Sequence, residues 1–235
     1  MVRYNALTIN GWSTADLPFY VAVIEMPGLT MARKKDKHYN QSFSNSVTTQ
    51  SVDAWETVEQ MFVFYLHDAD RYNLREFKAL FKNQGEFMRY DDNLMTKYAS
   101  LELTSSPMDE YNGYQVDVTF VCEPFEYEPE YEIQLGDSLL NRTSAPMYPR
   151  ITCDLNITEQ TYLTIGPQTM YFNLGSVETV VIECKHGYQD VTNTYGAKLN
   201  SEVRGGFFEI KPGQHDVEMG PGITNVKMLT RWGWL

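Results

Sequence analysis

The chain has 235 residues, of which 43% are hydrophobic and 21% charged, a composition typical of a folded globular protein. Its formal net charge is −12, with 11 basic and 17 acidic residues in 1–125 and 8 and 14 in 126–235. Neither half offers the basic surface that a phosphate backbone requires, so we expect no specific nucleic-acid binding.

Membrane insertion and secretion are also not expected from the sequence. No apolar run approaches the roughly 20 residues that span a bilayer. The first twelve residues, MVRYNALTINGW, lack the apolar segment and the cleavage site of a secretory signal. The three cysteines, Cys122, Cys153 and Cys184, have no C-x-x-C spacing. Their odd number favours free buried thiols in a protein made in the cytoplasm.

One helix interrupts a first half that otherwise has the pattern of strands and turns. The segments ALTINGW, PFYVAVIEMPG, ETVEQMFVFYLHD and GYQVDVTFVCEPFEY alternate or are apolar on both faces, which predicts strands. Within DADRYNLREFKALF, apolar residues recur at helical spacing and predict a helix over about 74–83. Asn73 is its predicted N-cap, Glu76 completes a capping box, and Gly85 is the end signal.

Residues 33–50, RKKDKHYNQSFSNSVTTQ, are polar and have no sustained apolar face. This composition predicts a solvated loop or arm, whose later part could form a polar strand. The alternative is an arm that becomes ordered against the acidic surface of a neighbouring subunit. The cations of this interface arm are Arg33, Lys34, Lys35 and Lys37.

A Pro- and Glu-rich segment, EPFEYEPEYE, interrupts the pattern and predicts a boundary between domains 1–130 and 131–235. Short strands separated by Gly and Pro turns follow: ITCDLNIT, TYLTI, TMYFNL, VETVVIEC, GFFEI, HDVEM and ITNVKMLT. Many short strands without helices predict a β-sandwich or jelly roll. The fold class is therefore mainly β, with one helix in an N-terminal β-barrel or sandwich domain.

The sequence contains no motif that indicates catalysis, a metal site or a cofactor. Asp68 and Asp70 could act as an acid–base pair or bind a hard cation, but their place before a helix N-terminus favours a structural role. The four histidines lack metal-ligand spacing. A glycosidase with paired carboxylates remains a minor alternative. We expect a protein that is not an enzyme and that needs no cofactor or metal.

Carbohydrate binding is the main alternative function for the second domain. Jelly rolls often bind sugars through aromatic side chains on one face of a sheet. The aromatic residues that could contact a sugar are Tyr162, Tyr171, Tyr188, Tyr195 and Trp232.

Several segments resemble the distal tail (Dit) proteins of siphophages, phages with long flexible tails that mostly infect Gram-positive bacteria. FYLHDADRYNLREFKALFKNQGEFMRYDDNLMTKYASLEL is followed by VDVTFVCEPFEY, and YPRITCDLNIT resembles the entry to the second domain of that family. The resemblance returns at the C-terminus in GGFFEIKPGQHDVEM and VKMLTRWGWL. The order of these segments, rather than any single motif, carries the resemblance over nearly the whole chain.

The resemblance implies a structural hub at the tail tip of the virion, made in the host cytoplasm. Its N-terminal β domain is expected to form a homo-hexameric ring, with a galectin-like β-sandwich as the C-terminal domain. The ring is expected to join the major tail-tube protein to the tail-associated fibre or lysin protein. Receptor-binding or baseplate proteins are further expected partners, and DNA is expected to pass through the ring.

Overall fold

The computed structural model divides into two compact units, a first unit that ends at Glu126 and a second unit of Tyr127–Trp234. The boundary predicted from the sequence, after residue 130, lies four residues C-terminal to this division after Glu126. Both units are mainly β, which confirms the predicted fold class. No helix in the described part of the chain is long and apolar enough to cross a membrane. The structure describes residues 6–28, 30–40, 47–108, 112–156, 160–174 and 177–235.

One antiparallel sheet dominates the first unit. The elements of this unit are β1 Leu7–Ile9, β2 Trp12–Ser13, β3 Tyr20–Glu25, β4 Lys34–Asn40, β5 Val47–Trp55, β6 Val58–His67, α1 Arg71–Ala79, β7 Gly85–Arg89, β8 Met95–Met108 and β9 Gly113–Tyr127. The strand order in the sheet is β2-β1-β7-β8-β9-β6-β3. A separate two-stranded ribbon pairs β4 with β5.

The helix α1 begins earlier than the sequence predicted, because Asp70 rather than Asn73 is the N-cap. Asp70 Oδ1 accepts hydrogen bonds from the backbone N–H groups of Tyr72 and Asn73, at 2.7 and 2.9 Å. The Asn73 side chain accepts from the Asp70 N–H at 3.1 Å and closes the capping box, so Glu76 has no part in it. Asp70 therefore has the structural role predicted for it.

The helix ends at Ala79 rather than near residue 83, and its last turn is tight. The N–H groups of Leu80 and Phe81 donate to the carbonyls three residues back, those of Phe77 and Lys78, each at 3.2 Å. Leu80 and Phe81 still pack on the core beyond the helix end.

Aromatic rings join α1 to the sheet beneath it. Phe77 is fully buried and lies edge-on to Phe64 of β6, with ring centroids 5.1 Å apart. Phe81 contacts Phe64 and also Phe120 of β9, at 6.2 and 6.1 Å. Phe62 continues the cluster along β6, 5.8 Å from Phe120. The helix thus covers an apolar sheet face, as its amphipathic pattern indicated.

Asn10 connects the first turn of the chain to this cluster. Asn10 and Gly11 have positive φ angles of 50° and 84° in the two-residue turn between β1 and β2. The Asn10 side chain donates to Leu80 O at 3.0 Å and accepts from the Glu86 N–H at 3.1 Å. A Cβ at Gly85 would collide with Asn10 Oδ1. Gly85 therefore begins β7 and leaves room for Asn10, rather than ending the helix.

The predicted interruption at Pro124 is wrong, since β9 continues to Tyr127. On one side β9 pairs with β6, which begins at Val58 opposite Cys122. Pro124 lies beyond the end of that partner, so its missing N–H removes no hydrogen bond from the β6–β9 ladder.

The second unit is a β-sandwich of two five-stranded antiparallel sheets. The strand orders are β10-β19-β12-β15-β16, termed sheet I, and β11-β18-β13-β14-β17, termed sheet II. The ten strands of these sheets are β10 Tyr131–Gln134, β11 Ser138–Asn141, β12 Arg150–Asn156, β13 Thr161–Ile165, β14 Gln168–Phe172, β15 Val177–Glu183, β16 Asp190–Asn193, β17 Val203–Gly205, β18 Gly213–Met219 and β19 Ile223–Thr230. The short strand β20, Gly233–Trp234, belongs to neither sheet.

Alternation along β12 illustrates how the sandwich core is built. In β12, Ile151, Cys153 and Leu155 are fully buried, while the residues between them are only partly buried. One predicted strand, GFFEI, is wrong: its described backbone forms only an isolated bridge between Ile210 and Met147. Phe208 is nevertheless fully buried in the core, which is why the segment has the composition of a strand.

A charged cluster links the ends of β15 and β19. Arg231 donates through Nη1 and Nη2 to the two carboxylate oxygens of Glu183, at 2.6 and 3.0 Å. It also donates to Tyr148 O and to Glu130 Oε1, each at 3.2 Å. Burial raises the pKa of Glu183, but hydrogen bonds from Arg231 and the Lys185 N–H outweigh it and leave this pKa below its ordinary value.

We expect Asp70→Ala to lower the free energy of opening of α1 by about 1 kcal/mol, because two helix N–H groups lose their acceptor. Hydrogen exchange of the α1 amides measures this. Glu76→Ala is the matched control, with an expected change of a few tenths of a kcal/mol at most. A larger effect of Glu76→Ala than of Asp70→Ala would contradict the assigned cap.

We expect the stability contribution of Glu183 to depend on pH. Because its pKa is lowered in the folded state, the contribution is complete above the ordinary glutamate pKa, about 4.3, and is lost as the pH falls through the folded value. Glu183→Gln should therefore be destabilised at pH 7 by about 2 kcal/mol, and the gap to the wild type should narrow below pH ~4.5 in thermal unfolding.

Glu132→Gln is the control for this measurement, since Glu132 forms an exposed ion pair with Lys227 at 3.1 Å. Exposed pairs contribute about 0–1 kcal/mol, so we expect a small loss of stability. A difference between Glu183→Gln and the wild type that stays constant from pH 7 to pH 3 would contradict the role assigned to Glu183.

Candidate functional site

The three cysteines are unsuited to nucleophilic chemistry. Cys122, Cys153 and Cys184 are free and fully buried. Burial raises the pKa of each thiol to about 12, so none is a thiolate near neutral pH. Among the described residues, no group of three or more His, Cys, Asp or Glu side chains is arranged to hold a metal ion.

Carboxylates near β7 belong to a structural network. Arg89 donates to both oxygens of Asp91, at 3.0 and 3.1 Å, and to Pro27 O at 3.1 Å. The hydrogen bonds from Arg89 lower the pKa of Asp91. Burial raises the pKa of the nearby Glu126, and the charge of Asp92 adds to this effect. Arg89 is itself buried, so this network fixes the loop after β7 rather than a solvent-facing site.

In the described residues of the polar arm, 33–40 and 47–50, the structure has strands where a solvated loop or arm with a possible later polar strand was predicted. The strands β4 and β5 pair as a two-stranded ribbon whose register runs from Lys34 opposite Trp55 to Asn40 opposite Val47. The Lys34 ammonium lies 5.4 Å from the centre of the Trp55 ring. Arg33 and Lys35 are exposed, and the side chain of Lys37 is outside the described part. Contact of this arm with another subunit remains a prediction.

Exposed apolar side chains lie at both edges of the large sheet in the first unit. At one edge, Trp12 of β2 is 69% exposed. At the opposite edge, Tyr20 of β3 is 64% exposed and Ile24 is also exposed. Ile24 sits at a register shift between Val23 and Glu25. Exposed apolar residues at strand edges favour contact with another chain.

Of the five predicted sugar-contacting aromatics, the structure brings two together. Tyr162 and Tyr171 face each other across β13 and β14, with ring centroids 6.2 Å apart. The Tyr162 hydroxyl donates to Glu218 Oε1 at 2.5 Å. Tyr195 stands apart in a turn after β16 and is 94% exposed.

The prediction of Trp232 as a sugar contact is wrong, because only 4% of the surface of this residue is exposed. Its ring belongs to the core of the second unit, and its Nε1–H donates to the Tyr131 hydroxyl at 2.9 Å. A large aromatic residue with a satisfied N–H is commonly buried, and a sequence pattern at the chain end does not reveal which side it faces.

Tyr188, the remaining aromatic, lines a cavity of about 390 Å³ on the outer face of sheet I. The floor comes from β15 and β16, and the loop that joins them supplies Lys185 and Tyr188. The other lining residues are Arg150, Val181, Glu183, Asp190 and Thr192. Sequence reasoning missed all of these except Tyr188. The alternation of YPRITCDLNIT does place Arg150 on the outer face of its strand.

No protein-family profile and no curated protein matches the sequence. Solved structures do match the fold. The crystal structure of the SPP1 Dit protein (gp 19.1), described as a paradigm of the hub adsorption apparatus in Gram-positive infecting phages, covers 98% of this chain and 99% of its own. The TM-score is 0.73 and the sequence identity 12%.

A chain of the phage P2 baseplate, in its activated conformation with Ca, also matches. The match covers 90% of this chain and 90% of the baseplate chain, with a TM-score of 0.51 and a sequence identity of 9%. This chain therefore has the fold of a phage Dit hub protein over nearly its whole length.

Proposed function

We propose that this protein is a structural hub at the tip of a phage tail. The observation that carries the proposal is the match to SPP1 Dit, which includes both units and nearly every residue of both chains. A match that covers two different β units in succession along the chain is more specific than a match to one common sandwich. In this role the protein acts through geometry rather than catalysis.

The hub is a ring of six copies that joins the tail-tube protein to the tail-associated fibre or lysin protein. It also carries receptor-binding or baseplate proteins. The ring belongs to the virion, and the protein is made in the host cytoplasm. Ring closure needs a heterologous interface, in which two different surfaces of each copy meet. The exposed Trp12 edge and the exposed Tyr20 edge lie at opposite ends of one sheet and supply two such surfaces.

The arm formed by β4 and β5 is a further subunit contact in this proposal. A two-stranded ribbon alone is marginally stable in water, so it gains from packing against another chain. Its cations at Arg33, Lys34 and Lys35 would meet an acidic neighbour, since each copy carries a net charge of −12.

We expect the purified protein to have a native mass of roughly 160 kDa, six chains of 27.2 kDa, by light scattering after size exclusion. Assembly depends on concentration, so the measurement covers the range from ~1 to ~200 µM. A monomer throughout that range would contradict the ring.

We expect the double variant Tyr20→Lys, Ile24→Lys to shift this mass toward the monomer, because it places two charges on an edge that would be buried between copies. Tyr195→Lys is the matched control, since Tyr195 is exposed on the second unit and its replacement leaves the sheet edge intact. Equal masses for the edge variant and the wild-type ring would exclude this edge from the interface.

A further inference from the structure

The cavity on the outer face of sheet I has the size of a small-ligand site. Its volume of about 390 Å³ lies within the range of roughly 300–1,000 Å³ that such sites occupy. Register brings its charged residues together: Arg150 lies opposite Glu183 across β12 and β15, and Glu183 lies opposite Asp190 across β15 and β16. Three neighbouring strands thus present one polar surface with Thr192 and Val181 beside it.

The two carboxylates in this cavity are held by cations at its margin. Glu183 accepts two hydrogen bonds from Arg231 and one from the Lys185 N–H at 2.8 Å. Asp190 forms an ion pair with Lys198 at 3.1 Å and accepts from the Asn200 side chain at 2.6 Å. Both carboxylates are therefore neutralised and fixed in orientation, so they can accept hydrogen bonds from a ligand hydroxyl without reorganising.

The side chains of the two cations that line the cavity, unlike those of its two carboxylates, lack hydrogen-bond partners in the described part of the chain. Arg150 and Lys185 are exposed, and their side chains have no hydrogen bond to any residue that the structure describes. The Lys185 ammonium lies 5.2 Å from the centre of the Tyr188 ring. The charge of Arg150 also helps to lower the pKa of Glu183. In a chain with a net charge of −12, these two exposed cations beside paired carboxylates form a local site for an anion.

Tyr188 adds an apolar surface to this site. Its ring is 68% exposed at the rim of the cavity, where it can pack against the C–H face of a sugar ring. The Thr192 hydroxyl and the oxygens of Glu183 and Asp190 provide partners for sugar hydroxyls. A cation pair, an aromatic ring and several acceptors within one small cavity match a ligand that is both charged and rich in hydroxyl groups.

We propose that this cavity binds an anionic saccharide, a sugar unit that carries a phosphate or carboxylate group. Arg150 and Lys185 bind the anionic group, Tyr188 packs on the sugar ring, and Asp190 accepts from a hydroxyl. The sugar is either one unit of a surface polysaccharide or a free sugar phosphate. The site lies within the second unit and does not rest on the proposed ring.

Calorimetric titration of the full chain tests this with tetragalacturonate, glucose 6-phosphate and neutral maltotetraose. We expect at least one anionic ligand to bind with a Kd of ~1 mM or tighter, and at least about tenfold more tightly than maltotetraose. Tighter binding of tetragalacturonate than of glucose 6-phosphate would indicate a polysaccharide, and the reverse order a free sugar phosphate.

The double variant Arg150→Gln, Lys185→Gln should weaken anionic binding about tenfold or more, through the loss of charge-assisted hydrogen bonds. Arg204→Gln, Lys211→Gln is the matched control, because it removes the same charge from exposed positions near β17 and β18. The control should retain the wild-type Kd. An equal loss in both double variants would mean general electrostatic attraction and would overturn the site.

Tyr188→Ala separates sugar recognition from simple anion binding. This variant should bind tetragalacturonate or glucose 6-phosphate several-fold more weakly than the wild type. Its weaker affinity for inorganic phosphate should be unchanged.

In the wild-type protein, addition of the anionic sugar should change the amide chemical shifts most within residues 181–192. Absence of binding to every anionic sugar at ~10 mM, or equal affinity for maltotetraose, would overturn the proposal.

A negative result here leaves the ring proposal untouched, because native mass and sugar affinity are measured separately. A ring that binds none of these sugars overturns only the saccharide site. A monomer that binds them overturns only the ring.

Discussion

The first unit depends on covering one face of a long sheet with a single nine-residue helix. A helix of this length is not stable alone in water, and the sheet face beneath it is rich in phenylalanine. Each therefore requires the other, and the rings of Phe64, Phe77 and Phe81 form the contact between them. The capping box at Asp70 and the Asn10 side chain at the other end hold the helix over these rings.

The second unit buries its apolar sheet faces in a different way. Two sheets bury each other's inner faces, so the core of this unit forms without a covering helix. The polar residues of these outer faces are organised rather than scattered: Arg231 links Glu183 with Glu130 and Tyr148, and Tyr162 pairs with Glu218. The stability of this unit comes mainly from the core that the two sheets share.

The sequence predicted the features that depend on local periodicity. Alternation gave the β class and most strands of the second unit, and the 3.6-residue period gave the existence of α1. The ends of the helix were wrong because Asp70 and Asn73 are equally good caps by residue type, and only the backbone geometry selects Asp70. Gly85 was predicted to end the helix, whereas a glycine is required there because of Asn10, 75 residues earlier in the chain.

Apart from Tyr188, the residues of the candidate saccharide site could not be predicted from the sequence. Its residues come from three strands and one loop, and they meet only through the pairing register of β12, β15 and β16. Trp232 illustrates the opposite error, since an aromatic residue can belong equally to a core or to a binding face until its surroundings are known. For the ribbon of β4 and β5, the sequence predicted at most a polar strand in the later part, because these mostly polar residues carry no hydrophobic period.

The buried thiols give the chain an internal reporter in each unit. Cys122 lies in β9 of the first unit, whereas Cys153 and Cys184 lie in the second. An alkylating reagent reaches none of them until the surrounding sheet opens, so the rate at which each thiol is labelled measures the opening of its own unit. Mass spectrometry of the labelled peptides can therefore follow the two units separately within the same unmodified protein, without added dyes or engineered residues.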